Sequence, residues 1–173
     1  MEWHLSRRGA SNLLLSDLLH FVGISDRFLG VVPADDLDKL TLPLTTGHIV
    51  IVNVGLHFVT LCLDRDFVLY VDPFGQPIAN PSVYHFIKRY YYDAAVPIYF
   101  NQKRIQHASS SHCALYAALF ALHFDGRRGP NAPPLRFAPR HLWKNDARCL
   151  AYLKNIECLT NKKTMNDDKM FYF

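Results

Sequence analysis

Four side chains, well separated along the chain, have the types that acyl transfer needs: Cys113, His57, Asp72 and Gln106. Cys113 heads the run Cys113 to Phe124, which is apolar all round and reads as a buried central helix. A thiol attacks a carbonyl as its thiolate, and the unpaired N–H groups at a helix N-terminus favour negative charge there. Ser109, Ser110 and Ser111 offer capping residues just ahead of it. A lone cysteine beside an apolar helix is more often a small core residue, so the thiol gains meaning only through partners.

A nucleophilic cysteine needs a base, usually histidine, held in one tautomer by a third group. If Asp64-Arg65-Asp66 is a hairpin turn, Leu63 faces Phe67 and position 57 comes opposite position 73, to within one residue. His57 and Asp72 are then cross-strand neighbours at one end of the hairpin, within reach of a side-chain hydrogen bond. Alone, His57 reads as an exposed strand-end histidine and Asp72 as a turn-former before Pro73. The fourth element is an amide. A side-chain N–H beside the nucleophile's own backbone N–H makes a two-donor oxyanion site, each donor contributing about 2.7 to 4 kcal/mol. Gln106 stands seven residues before Cys113, and Asn101 and Gln102 compete with it.

These groups need a scaffold. The spacing of Leu14, Leu15, Leu18, Leu19 and Val22 predicts one apolar helix face, opened by Ser11 or Asn12 as cap. Ser25 to Gly30 reads as a turn, and Pro33-Ala34-Asp35-Asp36-Leu37 as the first turn of a short helix ending near Leu40. His48 to Val54, Phe58 to Leu63 and Phe67 to Val71 have strand lengths, and their apolar residues at nearly every position predict strands covered on both faces. Pro81-Ser82 opens a helix through Val83, Phe86, Ile87, Tyr90 and Tyr91, followed by a strand around Val96 to Phe100 and a polar loop from Asn101 to His112. Gly126 to Pro139 is a loop, His141 to Ile156 a last helix, and a polar tail of unassigned role ends in Phe171-Tyr172-Phe173. Helices and sheet together predict an α+β domain, with residues 1–173 as a single unit.

Bulk properties are consistent with that. Half of the 173 residues are apolar, enough for a core without disulfide or metal staples. Cys62, Cys113, Cys149 and Cys158 lie far apart and read as reduced thiols of an intracellular protein. Arg7 and Arg8 precede the run Leu13 to Val22 as a signal peptide's head would, but Asp17 and His20 interrupt it and no small-residue cleavage site follows. No stretch approaches the roughly 20 apolar residues of a membrane span. The net charge of +4 is dispersed and permits weak contact with nucleic acid without requiring it. Tyr84, Phe86, Tyr90, Tyr91 and Tyr92 could stack on bases, although packing is the commoner use. No Cys-x2-Cys or His-x3-His pairing points to zinc, and His107, His112 and His123 read as surface or core histidines, His112 aimed away from the thiol.

The order His57, Asp72-Pro73-Phe74-Gly75, Gln106, six residues, then Cys113 heading an apolar helix resembles the adenovirus protease (adenain) family. Asp26 to Val32 with Pro33 also resembles the segment before that family's early helix, and the likeness covers roughly residues 16 to 125. The resemblance implies a papain-like fold with permuted order, a central mixed sheet and a buried helix carrying the nucleophile. It implies His57 as general base, Asp72 as its orienting acid, Gln106 as the oxyanion side chain and Cys113 as nucleophile. It implies a cysteine endopeptidase cleaving viral precursor proteins at Gly-Gly or Gly-X-Gly sites during maturation, in the infected nucleus and the virion. DNA and a short viral peptide are the implied activators, with no small-molecule cofactor. Three departures stand out. Ala95 occupies the place of the cysteine that joins the activating peptide, Ala114 stands where glycine is usual, and Phe58 replaces a tryptophan. Ubiquitin-like-protein (ubiquitin or SUMO) proteases share the permuted fold, but with one residue fewer between glutamine and cysteine and an Asp-Cys-Gly signature that His112-Cys113-Ala114 lacks. A binding or structural protein with an idle thiol is the other reading.

Overall fold

The computed structural model describes residues 11–41, 47–91, 96–126 and 135–155. Arg7, Arg8, Tyr92, Ala95, much of the proline-rich loop and the tail with Cys158 lie outside them. Helix α1 (Asn12–Phe21) begins at Ser11, whose hydroxyl accepts the Leu14 N–H at 3.2 Å, and it buries Leu15, Leu18 and Leu19. Leu14, expected on that face, turns to solvent, because the buried stripe runs through 15, 18, 19 and 22.

Strand β1 (Phe28–Pro33) follows where a turn was expected. It pairs in parallel with β2 (His48–Asn53), so no hairpin signal announces it, and a register shift between Phe28 and Gly30 interrupts its pattern. A 3-10 helix (Ala34–Lys39) takes the place of the short helix before Leu40. Strands β3 (Phe58–Leu63) and β4 (Val68–Val71) complete an antiparallel run with β2. Helix α2 (Pro81–Tyr90) starts at Asn80, whose side-chain oxygen accepts the Ser82 and Val83 N–H groups, and strand β5 (Ile98–Phe100) returns parallel to β4. Helix α3 (Cys113–Phe124) and a last helix, α4 over 143–155, end the described chain.

The five strands lie in the order β1-β2-β3-β4-β5, a mixed sheet. Each face has its own core. Ile49, Ile51 and Phe58 pack with α1, α3 and Leu153 of α4, whereas Val50, Val52, Val59 and Leu61 pack with α2 and the 3-10 helix. Covering on both sides is why the strands read as unbroken apolar runs. Phe86 is fully buried and Tyr90 meets Tyr91 edge-on at 4.6 Å, so these members of the aromatic cluster pack inward, while Tyr84 stays exposed. Among the described residues no helix is long and apolar enough to cross a membrane.

The hairpin register differs from the expected one by a single residue. Leu63 pairs with Val68, not Phe67, because the Asp64 N–H donates to the Phe67 carbonyl at 3.0 Å and closes a four-residue turn. Continued past the strand ends, this register sets position 57 opposite 74. Position 72 then shares a face with 57, whereas the Leu63–Phe67 pairing would put them on opposite faces.

Candidate active site

His57 lies just before β3 and Asp72 just after β4, so the hairpin carries both to one end of the sheet. His57 Nε2 is 2.8 Å from Asp72 Oδ1, and the imidazole stacks on Phe74 with ring centroids 4.7 Å apart and planes at 18°. With Nε2–H donating to the carboxylate, the neutral ring keeps its lone pair on Nδ1. Nδ1 is buried and accepts no hydrogen bond from the described residues. Burial of the ring opposes its charged form, but the hydrogen bond it donates to Asp72, a second interaction with the Cys113 thiol and the charges of both outweigh it. The His57 pKa is raised to about 9. The imidazole is therefore hydrogen-bonded to the carboxylate and interacts electrostatically with the thiol, the two partners an acid–base group needs here.

The Asp72 turn is tightly held. Its Oδ1 also accepts the Phe74 N–H at 2.6 Å, and its backbone N–H and carbonyl both bond the Asn101 side chain, at 2.8 and 2.6 Å. Asn101 is thereby committed to the acid's backbone. The Pro73 carbonyl accepts the N–H groups of Ile105 and Gln106, at 2.9 and 3.0 Å, tying the turn to the loop before α3. Gly75 makes that approach possible: a Cβ there would lie 2.6 Å from Arg104 N and Lys103 C, and its φ is +68°. Arg104 sits over the Phe74 ring at 5.5 Å.

Of the three competing amides, Gln102 is exposed and Gln106 is wholly buried. Gln106 Nε2 donates to the Ser110 carbonyl at 2.8 Å, and its Oε1 has no partner among the described residues. The same amide nitrogen makes a second, longer contact to Ser110 Oγ at 3.4 Å, the weaker of its two and the one a stronger acceptor could replace.

Cys113 opens α3 and is 8% exposed. Its N–H, at the helix start, has no intrahelical acceptor. Thr60 of β3 donates to the Ala117 carbonyl at 3.1 Å, pinning α3 to the strand that follows His57. The serine cap is not formed as expected. His112 itself occupies the cap position without a side-chain bond to the helix, and Ser110 instead accepts the His112 N–H at 3.2 Å. His112, expected to be aimed away from the thiol, has its Nδ1 3.1 Å from Ser110 Oγ and 3.4 Å from Asp146 Oδ2. Asn145 and Asp146, both on α4, are site neighbours that sequence reading missed. An Asn-Asp pair inside an amphipathic helix carries no mark that separates it from ordinary helix surface.

No family model and no curated protein sequence matches the chain. Solved structures do. A de-sumoylating protease is similar with a TM-score of 0.54 at 12% identity, over 96% of this chain and 86% of that one. The SUMO protease Ulp1, with its catalytic cysteine oxidised to a sulfenic acid, gives 0.54 at 11% identity over 93% and 81%. An ASFV protease gives 0.53 at 11% identity over 82% of this chain and 63% of that one. The fold is that of these proteases. The chain thus spans a little under two thirds of the ASFV protease's length. At such identities the likeness is one of architecture, and the chemistry must be argued from the side chains.

Proposed function

We propose that the chain is a cysteine endopeptidase with Cys113 as nucleophile, His57 as general acid and base, Asp72 as the group orienting His57, and Gln106 as an oxyanion donor. The observation that supports it is the His57 imidazole hydrogen-bonded to Asp72 at 2.8 Å and interacting with the Cys113 thiol, its pKa raised to about 9 by both. At neutral pH that ring is an imidazolium ready to give a proton.

The reaction follows from these positions. The Cys113 thiolate attacks the scissile carbonyl, and the oxyanion accepts hydrogen bonds from the Cys113 N–H and from the Gln106 amide, which exchanges its long contact to Ser110 Oγ for this one. His57 transfers its Nδ1 proton to the leaving amine, the C–N bond breaks, and an acyl thioester remains on Sγ. Water then attacks the thioester while Nδ1 takes its proton. Collapse of the second tetrahedral intermediate releases the carboxylic acid and restores thiolate and imidazolium.

The substrate reading is cleavage of viral precursor proteins after glycine, at Gly-Gly or Gly-X-Gly sites, during particle maturation in the nucleus and virion. It rests on the Asp-Pro-Phe-Gly segment and the Gln106-to-Cys113 spacing. Non-specific DNA and an activating peptide are its proposed partners. The peptide would act without the disulfide, because Ala95 holds no sulfur. A SUMO- or ubiquitin-type deconjugating activity is the second reading. It is favoured by the two SUMO proteases, which are similar over more of this chain than the ASFV protease is. Precursor peptides with and without DNA, set against SUMO and ubiquitin carrying C-terminal electrophiles, separate the two. Precursor cleavage lost in Cys113→Ala supports the viral reading, and labelling of Cys113 by SUMO or ubiquitin alone replaces it with the second. No reaction with any of them contradicts both.

A further inference from the structure

Helix α4 reaches back to both loops that frame the nucleophile. Asn145, wholly buried, donates to the Ile105 carbonyl at 2.7 Å, one residue before Gln106, and is itself held by Ala138 N–H and carbonyl at 2.7 and 3.1 Å. Asp146 divides its carboxylate between two residues flanking Cys113. Oδ1 accepts the Tyr116 hydroxyl at 2.9 Å, and Oδ2 lies 3.4 Å from His112 Nδ1. Burial, then the Asp146 carboxylate, push the Tyr116 phenol far above its ordinary range, so it stays a donor. The network continues inward, since Ser110 Oγ lies 3.1 Å from His112 Nδ1 and 3.4 Å from Gln106 Nε2.

We infer that Asp146 is a positioning residue of the active site: by holding His112 and Tyr116 on either side of Cys113, it fixes the first turn of α3 and, through His112 and Ser110, the Gln106 amide. The inference rests on the protease reading above. An acceptor on α4 that bonds residues 112 and 116 clamps the turn from which the thiol projects, and misplacement of a reacting group by about 1 Å costs up to about a hundredfold in rate. Asp146 touches neither substrate nor thiol in this scheme and acts only through its neighbours.

The test follows iodoacetamide labelling of Cys113 and Cys62 in the full chain by mass spectrometry, together with peptide turnover. Asp146→Ala is expected to slow Cys113 labelling and lower kcat by about tenfold with KM unchanged. Asp146→Asn, which keeps an acceptor for Tyr116 but loses the charge facing His112, is expected to lose about threefold. Leu15→Ala, a core truncation in α1, supplies a control with comparable thermal destabilisation and unchanged Cys113 labelling. If Asp146→Ala does not fold, Asp146→Asn carries the test. Labelling and kcat within error of the unsubstituted chain, or an equal loss in the Leu15→Ala control, overturns the inference while leaving the protease reading in place. Equal labelling of Cys113 and Cys62 in the unsubstituted chain overturns the protease reading, and the inference falls with it.

Discussion

His57 lies between two groups that each favour its cation, and the direction of its shift gives the first prediction. The ring is charged below about pH 9, so acylation, which needs an imidazolium to protonate the amine, should decline above a basic limb near 9. Asp72→Asn removes a carboxylate that raises the pKa and should move that limb toward the ordinary value of 6.5, with a lower kcat. The pH profile of kcat reads both. The sign carries over to stability. A folded pKa above the unfolded one contributes stability that is complete below about pH 6.5 and is lost as pH rises through about 9. Thermal melts of the parent chain should therefore weaken over that window, and those of His57→Gln should weaken less. Gln106 gives the second prediction at this scale. Gln106→Ala should lower kcat by about a hundredfold with KM little changed, whereas a change in KM alone would assign the amide to ground-state binding.

Elements explain why the residues meet. The Asp72 turn touches both His57 and the loop of Gln106, and at Gly75 it comes close to the backbone of Lys103 and Arg104. Gly75→Ala combines a strained φ of +68° with a Cβ 2.6 Å from backbone that cannot swing aside. It should destabilise the fold by about 1–3 kcal/mol and lower kcat/KM as well, read from the urea midpoint and from turnover. The same turn shows what the sequence could and could not disclose. Strand β3 and helix α3 lie at Phe58–Leu63 and Cys113–Phe124, where apolar runs and punctuation put them. Strand β1 was hidden because its partner is distant in sequence and its own pattern is broken near Gly30. The hairpin slipped by one residue because composition marks a turn without fixing which pair closes it. The His57–Asp72 contact was nonetheless legible, since position and residue type sufficed for it. The cap at His112 and the contacts of Asn145 and Asp146 depend on how α4 docks, which no local pattern encodes.

At the scale of the molecule, the two-faced sheet keeps helix α3 and the hairpin of His57 and Asp72 in one relation, with α1, α3 and α4 packed on one side and α2 on the other. Loss of core packing should therefore be felt as global instability before it is felt as a change in chemistry. Leu119→Ala, deep in α3, should cost about 2–5 kcal/mol and leave the pH profile of the remaining folded protein's turnover in place. The fold is shared with SUMO proteases and an ASFV protease, but a fold does not fix a substrate, so the side chains must decide the chemistry. The most direct measurement is to expose the chain to a glycine-ended peptide electrophile and map the adduct among its four cysteines. The account predicts a single adduct on Cys113, formed rapidly in the parent chain and at least about a hundredfold more slowly in His57→Ala. Adducts spread over Cys62, Cys149 and Cys158, or a Cys113 rate indifferent to the loss of His57, would contradict it.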